Sequence, residues 1–218
     1  MPAQTGTLRL VDTVEEQAAL DALIDGTGSH APKLGHLHEL LAWPFRRPPR
    51  ETGSRFRGPG DPGVWYGALE VDTALAECGY WRWRFARAAG LEIPSTAQQV
   101  FSAGVAGRAL RLDLPPLAAR RTEWEHPSSY AATQDIARDA RRDSIEVIVN
   151  RSVRDPEHRP TINLLAPAAF SKRTPARIDI WLLDVRAHGV IWQRPDAARP
   201  RSVAFSFTGS PATQGRSG

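Results

Sequence analysis

The stretch Gly63-Val64-Trp65-Tyr66-Gly67-Ala68-Leu69-Glu70-Val71-Asp72-Thr73-Ala74-Leu75-Ala76-Glu77-Cys78 decides the fold class. Val64 to Leu69 reads as a buried strand, rich in the aromatic and apolar residues that suit a pleated surface. Asp72 is the expected cap of a helix that runs through Ala74, Leu75, Cys78, Trp81 and Phe85 to Gly90, where glycine stops it. A strand that feeds directly into a helix recurs with other strand patterns downstream. Ala97 to Val105 and Arg108 to Leu114 read as strands separated by Gly104 and Gly107 and closed by Pro115-Pro116. Ser128 or Ser129 is placed to cap a helix from Tyr130 to about Arg142. Ile145 to Val149, Thr161 to Leu165, Ile178 to Leu183 and Val190 to Trp192 complete the strands. The order is mixed, and the fold class is α+β.

Upstream, Thr13-Val14-Glu15-Glu16 has the form of a capping box, and Val14, Ala18, Leu20, Leu23 and Ile24 recur at helical spacing until Gly26. A short helix over Leu34 to Ala42 is expected to end at Trp43-Pro44. From Phe45 to Gly63 the chain is dense in proline, glycine and arginine, which predicts a loop around a short extended piece near Arg55-Phe56-Arg57. From Pro195 onward it reads as a mobile tail with at most a short strand at Val203 to Phe207.

The chain has 218 residues, 41% hydrophobic and 24% charged, a globular balance that excludes a wholly disordered, collagen-like or coiled-coil protein. No apolar run approaches the roughly 20 residues of a membrane span. The N-terminus lacks the charge-then-apolar pattern of a secretory signal, so the expected location is the cytoplasm. A single cysteine, Cys78, excludes an internal disulfide and a thiolate metal knuckle. Lys and Arg exceed Asp and Glu by 28 to 24, a formal charge of +4, with lysine only at 33 and 172. Acidic residues alternate with the arginines through every segment, so no single basic face emerges and direct nucleic-acid binding is not expected.

Three constellations have chemical potential. Glu77 sits one turn into a helix among Ala74, Leu75, Ala76 and Cys78; the plain alternative is an exposed first-turn glutamate serving the helix dipole. Arg46-Arg47 and Arg55-Phe56-Arg57 bring guanidinium groups beside aromatic rings, suited to an anionic ligand with a ring or simply to a solvated basic loop. Asn150-Arg151-Ser152-Val153-Arg154 follows a strand, where loops carry ligand contacts, although a turn without a ligand explains it equally well. His36 and His38 diverge on a helix and do not make a metal site. Gly58-Pro59-Gly60-Asp61-Pro62-Gly63 lacks the lysine and hydroxyl of a phosphate loop and reads as a turn. Tyr80, Trp81, Trp83 and Phe85 alternate around their helix and read mostly as packing.

In order and spacing, Pro44-Phe45-Arg46, Gly53-Ser54-Arg55-Phe56, Gly63 to Leu69, Thr73-Ala74-Leu75-Ala76-Glu77 and Asn150 to Pro156 together resemble the RES-domain family over roughly Trp43 to Phe170. That family is named for an arginine, a glutamate and a serine. The resemblance implies an ADP-ribosyltransferase-like mixed sheet core with flanking helices, and a toxin of a toxin–antitoxin pair that depletes NAD by cleaving its nicotinamide–ribose bond. Phosphate or water would accept the ADP-ribose, giving an NAD phosphorylase or glycohydrolase; a protein side chain is the alternative acceptor. Carried over by position, Glu77, Arg55 and Ser152 are the catalytic residues, and Arg46, Arg55, Tyr66 and Ser152 bind NAD. Arg47 stands where many relatives place a tyrosine. NAD is substrate, so no cofactor or metal is implied, and the implied partner is a cognate helix-turn-helix antitoxin. The resulting division is an N-terminal helical extension over 1–42 packed on the domain, the RES domain over 43–194 and the tail over 195–218. A non-catalytic nucleotide- or partner-binding module and a DNA-associated regulator are the competing classes.

Overall fold

A computed structural model of the chain describes residues 34–46, 53–90, 94–196 and 198–207. The expected helix after Thr13 lies outside these residues. Two four-stranded sheets carry the fold, with the α+β composition read from the sequence. The first contains β1 (Trp65–Ala68), β3 (Ala109–Arg111), β4 (Val147–Arg151) and β5 (Pro160–Leu164) in the order β1-β5-β4-β3. Its β3–β4 pairing is parallel and the others antiparallel, so the sheet is mixed. The second is wholly antiparallel, in the order β2 (Thr96–Ser102), β6 (Arg177–Arg186), β7 (Gly189–Arg194) and β8 (Arg201–Ser206).

Register sorts the first sheet into two unlike faces. Trp65 opposite Leu164, together with Ile162, Val147 and Val149, packs against α1 (Glu39–Arg46) through Leu41, Ala42 and Phe45. The other face carries Tyr66 opposite Asn163, Asn163 opposite Ile148 and Asn150 opposite Thr161. Ile148 is covered by α3 (Ala131–Arg142) through Ala137 and Ala140. The polar end of this face is left facing a cavity.

The long helix α2 (Val71–Ala89) links the sheets. Leu75, Ala76 and Trp83 bury against Trp181, Leu183, Val190 and Trp192 of the second sheet. Gly79 is the point of closest approach: a Cβ there would stand 2.6 Å from Val190 Cγ2 and 3.0 Å from Trp192 Nε1. Two indoles are tied across this interface, Trp192 Nε1 donating to the Leu75 carbonyl and Trp83 Nε1 to that of Ala187, both at 3.1 Å. Gly90, at φ 62°, ends the helix in the left-handed conformation and bonds back to Ala86 and Arg87.

Several local expectations are corrected. The strand over Val64 to Leu69 is shorter and half-exposed, because only the Trp65 side faces the core. The helix after it begins at Val71 with Glu70 as cap residue, and Asp72 caps nothing; its carboxylate instead accepts from Arg201 at 2.7 Å. Neither Ser128 nor Ser129 caps α3: Tyr130 occupies that position, and both serine amides bond to His126 Nδ1. The early helix does not stop at Trp43-Pro44. It spans Glu39–Arg46 with Pro44 inside, since burying Phe45 beside Phe170 outweighs one lost hydrogen bond. Arg55-Phe56-Arg57 is a tight turn rather than an extended piece, closed by the reciprocal amides of Ser54 and Arg57. The region assigned to a tail contributes β8, paired to β7 over its whole length, with Phe205 and Phe207 buried in the second core. Leu34, Leu37 and Leu41 pack in one core with Val147, Val149 and Leu164 of the first sheet.

Gly58 to Gly63 is the expected turn: Asp61 accepts from the Gly58 amide at 2.7 Å and pairs with Arg138. His36 and His38 lie at the surface. Among the described residues no helix is long and apolar enough to cross a membrane.

Candidate active site

A cavity of about 430 Å³ lies between α2 and the polar end of the first sheet. Its wall on α2 is Ala74, Glu77, Cys78 and Trp81, successive members of one helical stripe. Its floor is Tyr66, Asn150, Thr161 and Asn163, and its rim includes Arg55, Tyr130 and Arg154.

Glu77 and Ser152, 75 residues apart in sequence, meet here: Ser152 Oγ donates to Glu77 Oε1 at 2.5 Å. The serine is wholly buried, and its oxygen also accepts from the backbone amides of Arg154 at 3.1 Å and Asp155 at 2.9 Å. One proton given and two accepted exhaust a hydroxyl. Ser152 therefore fixes the Glu77 carboxylate.

Asp155 locks this loop to the helix from behind. Its carboxylate, wholly buried, accepts from Thr73 Oγ1 and Arg159 Nε, each at 2.7 Å, and from Arg159 Nη2 at 2.9 Å. Thr73 stands one turn before Glu77 on the same helix. Burial pushes the Asp155 carboxyl up, but the Arg159 and Thr73 hydrogen bonds and the Glu157 amide outweigh it and hold it at about 2. Asp155 is thus ionised at any ordinary pH and keeps the Ser152 loop registered on α2.

Arg55 leaves the 54–57 turn, donates to the Trp124 carbonyl at 2.8 Å and lies over the Tyr130 ring at 4.8 Å. Burial lowers its pKa, Tyr130 and Glu77 pull it back up, and Arg154 presses it down. The hydroxyl of Tyr66 accepts the Phe56 amide at 3.1 Å and lies 2.6 Å from Ser54 Oγ, so Tyr66 holds the turn that aims Arg55. Its ring is 44% exposed, while burial around the hydroxyl raises its pKa. Desolvation likewise pushes the Cys78 thiol up, which keeps it protonated and a poor nucleophile at neutral pH.

Under these groups is a buried amide network. Thr161 Oγ1 and Asn163 Nδ2 both donate to Asn150 Oδ1, at 2.6 and 2.7 Å, and Asn150 Nδ2 donates to the Arg151 carbonyl at 2.8 Å.

A family model described as the RES domain matches residues 31–186, most of the chain. The chain belongs to the RES-domain family. A search among curated proteins found no match. The match begins twelve residues before Trp43 and runs past Phe170, so the core helix α1 and the whole of β6 fall inside the RES domain. Of the residues carried over by resemblance, Glu77, Arg55, Tyr66 and Ser152 come together around the RES-domain cavity. Arg46 does not line it; Arg46 ends α1, which packs on the opposite face of the first sheet. Thr161, Asn163, Tyr130 and Trp81 were not singled out as site residues. The alternation of polar Thr161 and Asn163 with Ile162 and Leu164 was the available signal, and it also describes a solvent-facing strand. Among the described residues no group of His, Cys, Asp and Glu side chains is arranged to hold a metal ion.

Proposed function

We propose that this RES domain binds NAD in the cavity and breaks its nicotinamide–ribose bond, acting as the toxin of a toxin–antitoxin pair in the cytoplasm. RES domains are known in toxin–antitoxin contexts. The observation that carries the reading is the Glu77 carboxylate, fixed by the Ser152 hydroxyl at 2.5 Å in a cavity edged by guanidinium groups. When the C1′–N bond breaks, its electron pair stays on the ring nitrogen and nicotinamide leaves neutral. No proton has to be delivered, which suits a cavity without histidine. Positive charge then develops on the ribose, as in other glycosidic cleavages, and a carboxylate held beside it stabilises that charge.

Arg55 supplies a planar donor fork for the pyrophosphate. The incoming acceptor, phosphate or water, forms the new bond to C1′; water loses its proton to Glu77 or to solvent. An ADP-ribosyltransferase-like core and a helix-turn-helix antitoxin that covers the cavity belong to the same reading.

The test is incubation of the purified, partner-free protein with NAD, with and without inorganic phosphate, following nicotinamide release and product mass. The expected result is release, with phosphorylated ADP-ribose marking a phosphorylase and free ADP-ribose a glycohydrolase. Mass added to a protein would mark a transferase. No release from folded protein would overturn the reading.

A further inference from the structure

Two groups on the cavity wall have no part in the chemistry above. Arg154 follows the Ser152 loop, and its guanidinium lies 3.7 Å from the centroid of the Tyr80 ring and donates to the Pro127 carbonyl at 2.6 Å. Among the described residues no carboxylate lies within ion-pair distance of Arg154 or of Arg55, although both face the same cavity. Two cations held by carbonyls and rings repel each other, with neither in an ion pair and Glu77 acting on Arg55 only at longer range, an arrangement that an anion with two phosphates relieves.

The second group is Trp81, an indole 45% exposed that lines the cavity one turn beyond Glu77. It stands edge-on to Tyr80 at 5.4 Å, and Arg84 lies over it at 5.3 Å. Arg154, Tyr80, Trp81 and Arg84 thus form a row of two rings between two cations, its last three members on α2 beyond Glu77. Trp81 contributes little to the core, which Trp83 occupies from the opposite side of the helix. Exposed rings flanked by guanidinium groups are how proteins hold a nucleobase and its phosphates without reading sequence.

We propose that Arg154 and Trp81 form a distal subsite, in which Arg154 shares the pyrophosphate with Arg55 and Trp81 stacks the purine of the dinucleotide. The proposal rests on the cavity being the NAD site, and it makes the enzyme selective for a dinucleotide over nicotinamide mononucleotide, which has one phosphate and no purine.

The experiment compares kcat and KM for NAD and for nicotinamide mononucleotide in the wild type, Trp81→Ala and Arg154→Gln. Both variants are expected to raise KM for NAD by about tenfold or more with kcat within about twofold, and to leave the mononucleotide kinetics unchanged. Trp81→Phe should recover most of the loss. Unchanged KM for NAD, or equal losses on both substrates, overturns the subsite, because a merely structural role would affect the two alike. Calorimetric binding of ADP, which has no scissile nicotinamide bond, separates this proposal from the one beneath it. ADP binding weakened about tenfold in both variants supports the subsite even if the wild type cleaves neither substrate, which would remove only the NAD-cleavage reading. ADP bound equally by all three proteins, or not by the wild type, overturns the subsite.

Discussion

Glu77 and Ser152 divide one task between them, the carboxylate facing the cavity and the hydroxyl holding it still. Glu77→Gln is expected to keep the fold and lower nicotinamide release on the order of a thousandfold, measured as kcat alongside an unchanged unfolding midpoint. Ser152→Ala removes the donor to Oε1 and strands two buried amides, so it should cost about 1–3 kcal/mol in denaturant unfolding and lower kcat. A Ser152→Ala variant with normal kcat and a raised KM would place the hydroxyl on substrate instead. Asp155 has its own acid signature. Its folded pKa, about 2, lies below its unfolded value, so its contribution is full above pH 4 and disappears as pH falls toward 2. Asp155→Asn should lose on the order of 2 kcal/mol at neutral pH and flatten that part of the pH–stability curve. Of this site, Glu77, Arg55, Tyr66 and Ser152 were legible as motif positions. Of the amide floor Asn150 belongs to a legible constellation, but Thr161 and Asn163 do not, because they look outward-facing until β4 and α2 close over them. Arg46 stands apart from this cavity at the end of α1, and nothing local in the sequence says on which side of a sheet a helix will end.

Elements were read more reliably than their ends. The strand-then-helix unit through Glu77 is present, yet its cap was misplaced because Asp72 answers to Arg201, a partner 129 residues away. The helix through Pro44 is the same lesson: local rules stop it, and burial of Phe45 continues it. On α2 itself, Gly79 sacrifices intrinsic helix propensity, about 1 kcal/mol relative to alanine, for contact with β7. Alanine, usually the better helix former, should here destabilise by about 1–3 kcal/mol, because its methyl meets Val190 and Trp192 and Val190 is fully packed. Chemical denaturation checks the sign. A stabilised Gly79→Ala protein would mean that α2 sits farther from the second sheet than described here.

Across the whole molecule, α2 and the contact of Trp65 with Phe101 join the two sheets, and the second sheet is completed by a strand in a region whose composition reads as a tail with at most a short strand at Val203 to Phe207. Proline, alanine, arginine and serine dominate that region, so its one strand signal is the short apolar alternation of Val203, Phe205 and Phe207. Truncation after Asp196 removes β8, uncovers Trp192 and takes Arg201 from Asp72, and should abolish cooperative thermal unfolding as followed by near-ultraviolet circular dichroism. Glu77 belongs to the first half of the chain, Ser152 to the second, and the strands that seat α2 come last. A nascent chain on the ribosome therefore has no assembled cavity until its final strands emerge. Under the proposed function the protein would thereby be inert throughout its synthesis, and the proposed antitoxin would have the interval between release and closure of β8 in which to reach it first.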